Sequence, residues 1–210
     1  MRMIFGLILA LGTSLPAAAQ ETGDFDYYVM SLSWSPNWCD RTGNARGSAQ
    51  CGEDRDLGWT LHGLWPQYEQ GWPAWCETEF DAPNRDELEA VKDLYGTASL
   101  ARYQWQKHGS CSGLDAQGYL GNSIRAYFSV QRPSIFRTWT EPRTVPARAV
   151  EKAFLLANPA LEETGVTVTC KSRQIQEVRI CLTKELTPRQ CGEDVRRDCT
   201  LEDAVMYPVP

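Results

Sequence analysis

WTLHGLWP, residues 59–66, and WQKHGSC, residues 105–111, hold the chain's two histidines, His62 and His108. Each histidine is followed by glycine and preceded, three residues earlier, by tryptophan. A lone histidine is more often structural than catalytic. Two in matched, crowded settings point to a working pair. Two imidazoles suit in-line phosphoryl transfer from a ribose 2′-hydroxyl: one takes the nucleophile's proton and the other protonates the leaving oxygen, near neutral or mildly acid pH. Lys107, adjacent to His108, is placed to stabilise charge on phosphorane oxygens. Other nucleophilic schemes fit less well. There is no Gly-x-Ser-x-Gly, and an even cysteine count leaves no obvious free thiol for a Cys–His pair. No His/Asp/Glu cluster suggests a two-metal nuclease.

Outward from these motifs, the pattern predicts a mixed fold. Asp26–Trp34 is aromatic and β-forming and reads as a strand. Pro36–Asp56 is a polar loop holding Cys39 and Cys51. Leu57–Leu64 reads as a second strand, ended by Trp65-Pro66, and Gln67–Asp81 as a Trp/Pro/Gly loop. Helices are predicted over Asn84–Leu94, Ser99–Lys107, Gln117–Val130 and Pro146–Ala157, the last with proline at its start and Asn158-Pro159 at its end. Val166–Cys170 and Gln174–Leu182 alternate as a hairpin. Four helices and separated strands without βαβ order argue an α+β class, with an antiparallel sheet packed on helices.

The first 19 residues read as a secretory signal: a short basic start, an apolar run from Ile4 to Gly12 too short to span a bilayer, and Ala17-Ala18-Ala19 for cleavage. Residues 20–210 then form one domain, within the usual size, and no later stretch is apolar enough to span. Removing Arg2 leaves 20 basic against 27 acidic residues, a net charge of −7. That is the wrong sign for a processive, high-affinity nucleic-acid binder. A hydrolytic enzyme needs only a local basic patch and quick release. Eight cysteines, all in the mature region, read as a disulfide framework in an oxidising compartment, secreted or periplasmic. Zinc is disfavoured, because no Cys-x-x-Cys pair occurs and the histidines are otherwise occupied.

WTLHGLWP and WQKHGSC strongly resemble the two active-site segments of the ribonuclease T2 family. The resemblance extends to YYVMSLSWSP near the start and EVRIC near the end. It implies an α+β fold and a secreted, metal-independent endoribonuclease that forms 2′,3′-cyclic phosphate ends with modest base preference. It implies His108 as general base, His62 as general acid and Lys107 as the phosphate ligand. Trp65 matches a tryptophan of the upstream base pocket, and Trp72 stands where the family often has a stacking tyrosine. It further implies the disulfides Cys39–Cys51, Cys76–Cys111, Cys170–Cys199 and Cys181–Cys191. Where the family usually reads His-Glu-Trp, this chain reads Tyr103-Gln104-Trp105. A catalytic carboxylate has become an amide and an accessory histidine a tyrosine, so activity with an altered rate or pH profile is expected. RNA is the expected partner of a monomer that needs no metal, cofactor or membrane. The alternatives are a weakened family member acting as a binding or effector protein, and an aromatic carbohydrate-binding module; the second leaves the matched histidine motifs as coincidence.

Overall fold

The computed structural model describes residues 22–210; the signal read over residues 1–19 lies outside them. β1 (Tyr27–Trp34) runs through the sheet with only Ser33 partly exposed. Strands over Trp59–Gln67 and Gln174–Leu182 flank it and cover both of its edges. α1 (Ser35–Trp38) follows at once, with Pro36 in its first turn, where a missing N–H costs nothing. The loop expected over Pro36–Asp56 is therefore corrected: α1 and a series of single π and 3₁₀ turns occupy it as far as Cys51. Asn37 explains why this stretch is not a free loop. Its buried amide donates to Ile175 O at 2.8 Å and Val205 O at 2.9 Å and accepts from Tyr207 N at 2.8 Å, pinning the C-terminal segment.

β2 (Trp59–Gln67) begins later than expected and continues through Trp65-Pro66. Pro66 is tolerated because β2 is the edge of the sheet, whose order is β2-β1-β5-β6-β3 with β4 also on β5. α2 (Arg85–Tyr95) is closed by a capping box between Asn84 and Glu87. α3 (Ala98–Lys107) is capped by Thr97, and α4 (Ala116–Ser129) by Asp115. β3 (Arg143–Val145) leads into α5 (Ala147–Ala157). The hairpin β4 (Val166–Lys171) and β5 (Gln174–Leu182) completes the centre, and β6 (Ala204–Met206) pairs antiparallel with β3. β3 and β6, three residues each, are too short to show alternation and are absent from the sequence reading. β6 meets β5 in parallel at one pair, Gln174 and Val205; all other pairings are antiparallel.

One face of β1 sends Tyr28, Met30, Leu32 and Trp34 into the main core with the helices. Trp34, Trp59, Phe136 and Phe154 meet there at tilted or edge-to-face angles. The other face carries Tyr27 and Val29, with Cys181, Cys191 and Val195, in a smaller cluster beside Trp65. Disulfides join Cys39–Cys51, Cys76–Cys111, Cys170–Cys199 and Cys181–Cys191, leaving no free cysteine among the described residues. Among those residues no helix is long and apolar enough to cross a membrane.

Candidate active site

His62 stands at a break in the β1–β2 ladder. Ser31 pairs with Gly63, but the next residue, Leu32, pairs with Leu61. His62 is thus the extra residue of a β-bulge, with no partner across the strands. The bulge shifts the phase of β2, so Leu61 and Leu64 both enter the main core although they stand three positions apart. His62 and Trp65, also three apart, face the opposite side together, ring centroids 5.2 Å apart and edge to face. Two tyrosines of α4 fix the outer edge of β2 on either side of the bulge. Tyr127 Oη donates to Trp59 O at 2.8 Å and Tyr119 Oη to Leu64 O at 2.9 Å. An edge strand's carbonyls would otherwise be buried without donors.

β5 supplies the support behind His62. Glu177 and Arg179 are two apart, so both lie on the face that His62 occupies. Glu177 Oε1 accepts from His62 Nδ1 at 2.6 Å, and Oε2 accepts from Arg179 Nε at 3.0 Å and Nη2 at 2.9 Å. Burial alone would raise this carboxyl, which is only 2% exposed. Hydrogen bonding and charge from His62, and then Arg179, outweigh burial and bring it down to about 2. Glu177 is therefore an anion that fixes one nitrogen of His62 and offers a counter-charge to the doubly protonated ring.

His108 sits just beyond the end of α3, its N–H still bonded to Gln104 O at 2.9 Å. Its setting is the opposite of His62's. The ring is buried against Trp65, centroids 5.4 Å apart, and its Nδ1 has no hydrogen-bond partner among the described residues. Burial, then the nearby charges of Lys107 and His62, push the imidazole down to about 3. Gln104, itself buried, accepts from Trp65 Nε1 through Oε1 at 2.7 Å. The glycine after each histidine now has a reason. A Cβ on Gly63 would overlap Trp65 Nε1 and Gln104 Oε1, and one on Gly109 would overlap the rings of Trp105 and Tyr119.

A cleft of about 430 Å³ gathers every site residue singled out from the sequence: His62, His108, Lys107, Gln104, Trp65, Trp72 and Tyr103. Trp72 is 56% exposed at the mouth, on a loop held by Gly71 N donating to Asp194 Oδ2 at 2.6 Å. Cys76–Cys111 ties the segment after the first motif to the second. Next to it, Trp75 adopts the left-handed φ of 58° and donates its N–H to Lys107 O at 2.8 Å. Among the described residues no group of three or more His, Cys, Asp or Glu gathers as a metal site would require.

The model of the ribonuclease T2 family matches residues 25–191. The chain belongs to the ribonuclease T2 family. A ribonuclease of Aeromonas hydrophila is 35% identical over 201 residues, spanning 93% of this chain and 90% of that protein. Two solved structures share the T2 fold seen here. An RNase-related protein from Calystegia sepium has a TM-score of 0.66 at 22% identity, covering 89% of this chain and 97% of its own. RNase NT, in complex with 5′-AMP, has 0.65 at 20% identity, covering 88% and 98%.

Glu177 and Arg179 of this T2 chain were missed as site residues in the sequence reading, although both fall in the EVRIC segment that carries the resemblance. The available signal was two charges of opposite sign, two apart, set among the apolar Val178, Ile180, Cys181 and Leu182 of one strand. Such a strand keeps charges only where they are paired.

Proposed function

We propose that this chain is a secreted or periplasmic endoribonuclease that cuts single-stranded RNA by transphosphorylation, leaving 2′,3′-cyclic phosphate ends. The observation that carries this reading is the contrast between the two imidazoles of one cleft. His108 is dehydrated and beside a cation, so it is neutral, with a lone pair free to take the 2′-hydroxyl proton. His62 is held by an anionic carboxylate, so it is fit to carry a proton to the departing 5′-oxygen. Environments that differ in this way separate acid from base in a pair. Lys107, at the same cleft, neutralises charge on the phosphoryl oxygens. Gln104 spends its carbonyl on Trp65 and keeps its amide N–H for a phosphoryl oxygen. Trp65, Trp72 and Tyr103 offer aromatic faces to the upstream base, which favours low sequence preference. Four disulfides suit an oxidising compartment. The reading requires one chain and no metal.

Replacing His62 or His108 with alanine tests it. Each change is expected to cost roughly 10²- to 10⁴-fold in kcat on a dinucleoside monophosphate, with cooperative unfolding retained. Wild-type turnover is expected to persist in excess chelator and to release cyclic phosphates. Turnover that survives in the double alanine variant, or that chelator abolishes, would refute the mechanism.

A further inference from the structure

Of the eight tryptophans only Trp72 and Trp75 are exposed, each by 56%. Trp72 lines the mouth of the cleft; Trp75 stands outside it and carries two costs. A large apolar ring is left in water. The backbone beneath it takes the left-handed φ of 58°, where a bulky side chain is rarely found. Outliers of this kind persist where their surroundings enforce them, and they gather at ligand clamps. Here the enforcement is close by. Trp75 N–H donates to Lys107 O at 2.8 Å, and the N–H of the next residue, Cys76, donates to Cys111 Sγ at 3.3 Å. The result is a ring set edge to face with Tyr103, centroids 5.6 Å apart at 79°. Tyr103 is 44% exposed and also lines the catalytic cleft. It borders a second groove, of about 420 Å³, whose walls include Arg85 and Arg102. Both arginines are exposed and belong to no ion pair among the described residues. Glu89, the acid of that groove, pairs with Lys92. The aromatic edge of the cleft thus continues outward onto Trp75, with unpaired positive charge near it, in a chain of net charge −6.

We propose that Trp75 is a stacking site for a second base, that of the nucleotide on the 5′ side of the one whose 2′-hydroxyl attacks. The proposal rests on the assignment of Trp72 and Tyr103 to the upstream base. Beyond a base held there, the next one in the 5′ direction meets the exposed ring of Trp75. Single strands are bound in this way, by aromatic rings that take successive bases and by cations that attract the backbone. Stacking of this kind accepts any base, because every base has a π-face. A sugar ring also packs on tryptophan, but continuity with the cleft and the unpaired arginines favour a polyanion. One backbone hydrogen bond joins Trp75 to Lys107, so a strand engaged at the ring is in register with the lysine that meets the scissile phosphate. The enzyme then cuts faster where the RNA continues on the 5′ side of the cut.

The test compares kcat/KM for a dinucleoside monophosphate with that for the same dinucleotide extended by one 5′ nucleotide, whose 2′-hydroxyl is methylated so that only the original linkage is cut. In the wild type the extension is expected to raise kcat/KM by about five-fold, the lower end of what one base–aromatic stack contributes. An abasic extension, which adds the phosphate without the base, should give little of that gain. In Trp75→Ala the ratio of the two substrates is expected to fall toward one, and Trp75→Phe should keep most of it. Trp75→Gly removes the ring and relieves the backbone, so it should match or exceed Trp75→Ala in urea while losing the ratio equally. Because the readout is a ratio within one protein, a general loss of folding does not imitate it. A wild-type ratio of one, an abasic extension that gives the full gain, or a Trp75→Ala variant that keeps it overturns the proposal. So does a gain from a 3′ extension that Trp75→Ala abolishes, which puts the ring on the leaving side. A ratio of one together with fluorescence quenching by a soluble oligosaccharide, lost in Trp75→Ala, assigns the ring to sugar instead. Failure of the upstream-base assignment is seen separately, as Trp72→Ala cleaving the plain dinucleotide at the wild-type kcat/KM.

Discussion

At the scale of single residues, the site works by giving two identical side chains different surroundings. On the proposed assignment of His108 as general base, which must be unprotonated to act, the acid limb of kcat/KM is expected to report His108 in the free enzyme. With that imidazole held at about 3, the limb is expected well below the ordinary histidine value of 6.5. Gln104→Glu puts a carboxylate beside His108, favours its protonated form and should move the limb upward. Profiles of both proteins at one ionic strength decide this; an unmoved or lowered limb means that residue 104 does not act on the base. Glu177→Gln makes a different test. The amide carbonyl can still accept from His62 Nδ1, but the counter-charge for the ring and for Arg179 is gone. Removing one member of a buried ion pair costs about 3–5 kcal/mol at the upper end, and less here because His62 and Arg179 are each partly exposed. The variant should unfold at lower denaturant and lose kcat more than KM rises. Loss of stability with kcat intact would make Glu177 purely structural.

Elements explain how these residues come to face one another. Tyr119 and Tyr127 hold the edge strand at points on either side of His62. Tyr119→Phe leaves a buried carbonyl without its donor, a cost of about 1–3 kcal/mol, and urea titration is expected to show it. Tyr127→Phe should cost less, because its hydrogen bond is only partly buried. If the two variants match the wild type, the edge is held by packing alone. The long helices were legible in the sequence because their apolar spacing and caps agree: Leu88 and Val91 are buried on α2, and Asn84 caps it. β5 was legible for the same reason, since its period of two is unbroken at Val178, Ile180 and Leu182. β2 was misjudged where the bulge interrupts that period and where Pro66 uses an edge position. The histidines and Lys107 were legible as motif. Glu177 was legible only as a charge that Arg179 pairs, because its hold on His62 depends on β1 bringing β5 and β2 to one face.

For the whole molecule, acid should unfold the protein over a definable range. The unfolded chain protonates His108 near 6.5 while the folded one resists to about 3, so this contribution is intact above 6.5 and fades as pH falls toward 3. Glu177 adds the same slope between 4.5 and about 2. Glu151 runs the other way: burial, then Asp198 and Glu163, raise it to about 7, so its stabilisation is complete below 4.5 and lost as pH rises through 7. Opposed slopes above 4.5 and shared ones below predict a shallow change in Tm down to that pH and a steeper fall beneath it. A Tm that stays flat from pH 4.5 to 3 would contradict the burial of His108. The Cys76–Cys111 bridge sets a further dependence. Cys76→Ser/Cys111→Ser should lose about 2–5 kcal/mol and also lose kcat at temperatures where it remains folded, since the bridge registers the two histidine segments. Equal kcat in the folded variant would limit the bridge to stability. The bulge has a consequence of another kind. Because His62 is the surplus residue of its strand, no rung of the ladder and no part of the main core depends on it. Taking the imidazole away therefore leaves the framework of strands in place and asks the buried Glu177 carboxylate to rely on Arg179 instead.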